Sequence, residues 1–150
     1  MDAYLRLAGQ EDMDLLFLWA NDPSVRKNSF SEDEIPYEEH RQWYQTLLTD
    51  QKRRQYLYIC NGVPMGQVRI SLSEEDAEIS YSIGKEYRGM GHAKKMLQLL
   101  QEQVQEDYPY LKRLSAKVKA DNTPSQRAFL HLGYQKIYEV YTMPCGCKVI

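Results

Sequence analysis

The chain has 150 residues, 43% of them hydrophobic and 27% charged, and 19 Lys and Arg against 21 Asp and Glu leave a formal net charge of −2. That describes one globular domain over residues 1–150, long enough to bury a core without disulfides or a structural metal. The near-neutral balance removes any general electrostatic drive onto nucleic acid or an anionic membrane. The three cysteines, Cys60, Cys145 and Cys147, form no framework and point to a reducing compartment. Cys-x-Cys without a second ligand pair gives no zinc site, so no metal is expected. The longest strongly apolar run, residues 15–20, falls short of the roughly 20 residues that span a bilayer. Residues 1–6 have no apolar signal-peptide core, and the expected location is the cytoplasm.

In chain order, residues 3–7 read as a first strand, and residues 12–20 as a helix whose dense apolar content predicts near-complete burial, ended by Asn21-Asp22-Pro23. Residues 24–35 read as a loop. Pro36 and the acids behind it open a second helix that runs through Trp43, Tyr44, Leu47 and Leu48. The period changes to two at residue 55, Asn61-Gly62 supplies a tight hairpin turn, and residues 64–72 return as the second arm. After a polar turn, Ala77, Ile79, Tyr81 and Ile83 alternate strictly with Glu78, Ser80 and Ser82. A long amphipathic helix over 89–108 follows, then a strand over 114–118. A helix over 124–132 is expected next, capped by Thr123 and closed by Gly133. Residues 134–150 read as strand, Pro-Cys-Gly-Cys turn and strand. The expected fold is α/β (α+β): a mixed, mostly antiparallel sheet flanked by helices, in the order β-α-α-β-β-β-α-β-α-β-β.

Chemistry concentrates where the strand ending at Ile83 runs through Gly84-Lys85-Glu86-Tyr87-Arg88-Gly89-Met90-Gly91 into the long helix. Unpaired first-turn amides and the helix dipole favour an anion there, and glycines keep side chains out of its path. No Gly-Lys-Ser/Thr is present, and the preceding strand belongs to an antiparallel meander, which excludes a Walker loop and a dinucleotide fingerprint. Alone, Gly-x-Gly fits a tight strand-to-helix turn equally well. A second block, Asn122-Thr123-Pro124-Ser125 with Ala128-Phe129 and Gly133-Tyr134 behind it, decides between the two.

Together the blocks resemble the GNAT superfamily of acetyl-CoA-dependent N-acetyltransferases. Arg88-Gly89-Met90-Gly91-His92-Ala93 looks like its pyrophosphate loop, and Asn122 through Tyr134 like its second block. The resemblance implies acetyl-CoA as co-substrate, its pyrophosphate held by the amides of Gly89, Met90, Gly91, His92, Ala93 and Lys94. The backbone of Tyr81, Ser82 and Ile83 would bond the pantetheine arm, with Asn122 and Ser125 beside it. Arg88 either pairs with a phosphate or covers the helix end.

Attack on a thioester needs a neutral amine, a proton acceptor and a donor for the departing thiolate. Related peptide Nα-acetyltransferases carry a Glu base and a Tyr acid where this chain has Lys117 and Phe129. Glu78 and His40 are the candidate bases, against readings as a solvated strand carboxylate and a helix-surface histidine. Tyr134, Tyr138 or water is left as the acid.

The resemblance places the acceptor between the first two helices. Arg26, Asn28, Phe30, Tyr37 and Arg69 are the candidate contacts, with flat aromatic surfaces that suit a sugar or nucleobase. Residues 21–30 and 37–43, together with Gly66-Gln67-Val68-Arg69, resemble the branch acting on nucleotide-linked amino sugars, including the pseudaminic acid pathway, in which a UDP-4-amino-4,6-dideoxy sugar is N-acetylated. Arg26, Lys27 and Arg69 would then meet the diphosphate. The alternatives are a ribosomal-protein-type Nα-acetyltransferase, a non-catalytic CoA-binding regulatory module and, as a minor reading, acetylation of polyamines or drugs. The expected partner is a small-molecule amine, with no nucleic acid or membrane, and exposed C-terminal edge strands point to a homodimer.

Overall fold

The computed structural model describes residues 2–145. Five strands form one sheet in sequential order: β1 (Ala3–Leu7), β2 (Arg53–Cys60), β3 (Val63–Leu72), β4 (Asp76–Ile83) and β5 (Arg113–Ser115). The first three pairings are antiparallel and the last is parallel. Asn61 (φ 51°) and Gly62 (φ 80°) make the β2–β3 turn with the positive angles such a turn requires.

Alternation along the strands divides the apolar residues between two faces. Tyr56, Tyr58 and Cys60 of β2 join Val68, Ile70, Ala77, Ile79 and Ile83 beneath α4 (His92–Asp107), which contributes Met96, Leu97, Leu100 and Val104, and α5 (Thr123–His131), which contributes Phe129. Leu57 and Ile59 face the other way, onto Leu16 and Trp19 of α1 (Met13–Ala20) and Tyr44 and Leu47 of a helix over Tyr37–Thr49. β2 is covered on both sides, which is why its sequence is apolar at every position from 56 to 60.

Several expectations need correction. The first helix is half-buried: Leu16 and Trp19 are inside, whereas Leu18 is 67% exposed. Asn21-Asp22-Pro23 ends that helix but also starts another, α2 (Pro23–Asn28), where a loop was expected. The Asp22 carboxylate accepts from Ser24 N–H at 2.9 Å and Pro23 takes the first helical position, the ordinary opening of a helix. The Tyr37–Thr49 helix is therefore α3. Asn122, not Thr123, caps α5, its side chain accepting from Ser125 N–H. Residues 134–145 join no ladder, so the strand expected from Tyr134 does not form there, and the final strand lies outside the described residues.

The feature that makes a site is the short β4–β5 pairing. It begins at Asp76 and Arg113 and ends at Glu78 and Ser115. β4 continues to Ile83 while the other arm leaves as irregular chain, so the sheet opens into a V.

Candidate active site

The V is one wall of a cleft of about 920 Å³, bounded by Ile79–Ile83, the start of α4, residues 116–118 and the start of α5. Across the sheet the cleft continues beneath α1, α2, the segment after α2, and α3. It has two chemically distinct halves.

The first half is built around the N-terminus of α4. Gly91 caps the helix at φ 84°, with no side chain bonded to the first-turn amides. The first helical bond runs from Lys95 N–H to Gly91 O, which leaves the amides of His92, Ala93 and Lys94 without helical partners. Gly89 has φ 77°, and a Cβ on either glycine would meet nothing within 4 Å. The glycines are thus required by backbone angle, and the space above them is the cleft. Met90 is 65% exposed between them. The buried His92 ring bonds the Tyr58 hydroxyl at 2.9 Å and anchors the first turn to β2. Arg88 turns back on the protein: Nε donates to Ile83 O at 2.9 Å, and a terminal nitrogen lies 3.4 Å from the Asp22 carboxylate. It pins the loop to β4 and α2 instead of offering itself to an anion.

β4 supplies an unpaired edge. Ser82 O faces β3, lying 2.9 Å from where a Gly66 Cβ would be, and Gly84 N–H bonds Met65 O on the same side. Backbone groups alternate sides along a strand. Ile79, Tyr81 and Ile83 therefore present theirs to the V, and Arg88 takes one of them, Ile83 O. Ser82 was expected to offer its backbone here, but it contributes its hydroxyl to the opposite face. Asn122 Oδ1 caps its own helix at 3.4 Å, and Ser125 Oγ bonds the Tyr81 hydroxyl at 2.5 Å. An exposed strand edge ending at bare helix amides is a receptor for an extended chain terminating in phosphate.

The second half has a polar floor. Gln55, Gln67, Arg69, Glu78, Ser80 and Ser82 share one face of β2, β3 and β4 by the observed register. Gln55 Nε2 donates to Gln67 Oε1 at 2.8 Å, and Gln67 Nε2 donates to Ser82 Oγ at 3.1 Å. Sequence reasoning missed Gln55, whose signal is a polar side chain on the face of β2 where Leu57 and Ile59 are buried. Gln67 stands only within the Gly66-Gln67-Val68-Arg69 resemblance and has no role assigned there.

Arg69 lies over the Trp43 ring, 5.0 Å from its centroid, with no carboxylate within 4 Å among the described residues. Burial, reinforced by nearby Arg53, pushes its guanidinium below the usual value. Arg26, by contrast, is spent on structure. Its guanidinium donates to the carbonyls of Ala20, Ser31 and Asp33 and to Ser29 Oγ, folding the segment after α2. Asn28 and Phe30 line the cleft. Tyr37 does not: it donates to Asp14 Oδ1 at 2.8 Å and packs edge-on against Phe17, outside the cleft. Lys27 gives only its carbonyl, to Lys119 Nζ.

The candidate bases differ. Glu78 stands where β4 and β5 part, half-exposed, 3.6 Å from Lys117 Nζ, and is the only carboxylate lining the cleft among the described residues. His40 is buried, not on the helix surface; its Nε2 lies 3.2 Å from Met13 O. A carbonyl only accepts, so Nε2 carries the hydrogen and Nδ1 holds the lone pair. Burial lowers the His40 pKa and keeps the ring neutral near pH 7. Tyr134 is half-buried against Phe129 with its hydroxyl inside, Tyr138 is exposed, and neither lines the cleft.

The acetyltransferase (GNAT) domain family matches residues 3–135. The chain belongs to that family, and is an N-acetyltransferase with acetyl-CoA as co-substrate. Comparison with curated protein sequences returned no match. Solved structures share the fold at low identity. A domain from Methanocaldococcus jannaschii superposes with TM-score 0.80 at 21% identity, over 93% of this chain and 92% of that one. The aminoglycoside acetyltransferase AAC(6')-Ib in complex with coenzyme A gives 0.79 at 16%, over 91% and 86%. Spermidine N-acetyltransferase from Vibrio cholerae in complex with CoA and spermine gives 0.77 at 17%, over 87% and 79%. Among the described residues no helix is long and apolar enough to cross a membrane, and no group of three His, Cys, Asp or Glu side chains is placed to hold a metal.

Proposed function

We propose that the chain acetylates the 4-amino group of a UDP-linked amino-dideoxy sugar, as in the pseudaminic acid branch of surface-glycan synthesis. The observation that carries this reading is the charge of the cleft. Arg69 stands on the polar floor of the acceptor half with no carboxylate within 4 Å, whereas Glu78, already beside Lys117, is the one acid of the cleft among the described residues. A polycation such as spermidine or an aminoglycoside calls for the opposite balance. An amine carried on an anionic sugar nucleotide fits it, with Phe30 and Trp43 as flat surfaces and Gln55, Gln67 and Ser82 as hydrogen-bonding groups for hydroxyls.

Acetyl-CoA supplies the activated thioester carbonyl when bound. In this reading the amides of His92, Ala93 and Lys94 hold its pyrophosphate, and the free edge of Ile79, Tyr81 and Ile83 aligns its arm toward the apex of the V. Glu78, at that apex on the acceptor face, takes the proton of the attacking amine; His40 Nδ1 is the second candidate.

The test is thiol release from acetyl-CoA with a UDP-4-amino-4,6-dideoxy sugar, spermidine, kanamycin and a ribosomal-protein N-terminal peptide. The sugar nucleotide is expected to be turned over selectively. Arg69→Gln should then raise its KM about 10-fold or more while leaving kcat within a few-fold, because a charge-assisted contact to phosphate contributes roughly 1.5–3 kcal/mol. Preference for spermidine or kanamycin, or an unchanged KM in the variant, contradicts the reading.

A further inference from the structure

The departing sulfur needs a proton donor, and Phe129, which lines the cleft from α5, offers none. Two hydroxyls do stand in that wall. Tyr81 is an odd-numbered position of β4, so its side chain points to the α4–α5 face of the V, where its ring meets Phe129 edge-on with centroids 5.8 Å apart. Its hydroxyl is 2.5 Å from Ser125 Oγ in the first turn of α5. Neither oxygen has another hydrogen-bond partner among the described residues, and both side chains line the cleft. Two O–H groups sharing one hydrogen bond leave one O–H uncommitted.

We propose that the Tyr81 hydroxyl, held by Ser125, is the proton donor to the departing thiolate. Ser125 can donate to the phenol oxygen and leave the Tyr81 O–H directed into the V, beside the strand edge that aligns the arm. Tyr81 gives its proton to sulfur as the C–S bond breaks and the C–N bond to the amine forms. The amine's surplus proton leaves to the base, and solvent reprotonates the Tyr81 oxygen. Burial holds the phenol pKa above its ordinary value, so the donor stays protonated through the neutral range. The inference rests on acetyl-CoA occupying the cleft and not on the identity of the acceptor.

Tyr81→Phe keeps the ring against Phe129 and removes only the hydroxyl. With any amine the wild-type protein accepts, kcat is expected to fall about 100-fold, while the CoA Kd by calorimetry stays within about twofold. Ser125→Ala, which leaves the Asn122 cap on the Ser125 amide intact, should cost less than about 10-fold. A Tyr81→Phe protein that turns over at the wild-type rate, or loses CoA affinity in proportion to rate, overturns the proposal. Replacing Tyr81 with difluorotyrosine retains the side-chain shape and acidifies the phenol. The alkaline limb of the kcat profile should then move to lower pH, and an unmoved limb also overturns the proposal.

Discussion

At Gly91 the backbone angle and the chemistry make separate demands. φ of 84° disfavours any side chain by roughly 1–2 kcal/mol, and a Cβ there would stand in open space at a residue that lines the cleft. Gly91→Glu should therefore abolish CoA binding in a titration calorimeter, because a carboxylate occupies the anion's place, while circular dichroism retains the native spectrum. Unchanged affinity would detach the loop from the cofactor. The arginines show where side-chain roles escape the sequence. Arg26 and Arg69 both read as cations available to a phosphate, yet one folds a loop by satisfying carbonyls and the other has Trp43 and an open cleft. No periodicity distinguishes them, since the difference lies in which carbonyls a later segment brings near.

The helices are legible from their ends, but an end signal can be read in two directions. Asp22-Pro23 stops α1 and starts α2, and only the stop is apparent from apolar periodicity, because α2 buries no residue completely. The strand over residues 114–118 is likewise cut to Arg113–Ser115 by the parting of β4 and β5, a tertiary event that strand propensity does not encode. Asp22 gives α2 a functional consequence, since it caps that helix and also pairs with Arg88 of the glycine loop. Asp22→Ala should remove about 1 kcal/mol of capping, lowering Tm by roughly 2–4 °C for a chain of this size. It should also raise KM for acceptor and acetyl-CoA together, measured in a two-substrate kinetic matrix. A change confined to one substrate would show that the two halves are not joined through this pair.

Across the whole molecule, the α2 wall of the cleft is tied to both arms of the V. Arg88 joins α2 to the β4 side, and Lys119, bonded to Lys27 O and 3.6 Å from Glu32, joins it to the β5 side. The strand order and the two covered faces follow from alternation in β2, β3 and β4, which is why the fold was legible from the sequence. The polar floor was legible only at Arg69, because Gln55 and Gln67 join it only through register. Global stability should report the buried polar groups. Burial holds the His40 pKa below 6.5, so the unfolded chain binds a proton there before the folded one does. Tm should be level above pH 7 and begin to fall below about pH 6.5, and His40→Gln should flatten that step. Asp12, held below 3.8 by its hydrogen bonds to Arg6, adds a second loss as pH falls from that value toward its folded pKa. A melting temperature independent of pH between 7 and 5 would contradict the His40 assignment.

The most direct test of the site is a backbone amide NMR titration with CoA. Chemical-shift changes are expected at Gly89–Lys94, at Ile79, Tyr81 and Ile83, and at Asn122, with Ser80 and Ser82 perturbed less because their amides face β3. Shifts concentrated elsewhere, or saturation without change in the first turn of α4, would contradict the placement of acetyl-CoA in the V and the acetyl transfer built on it.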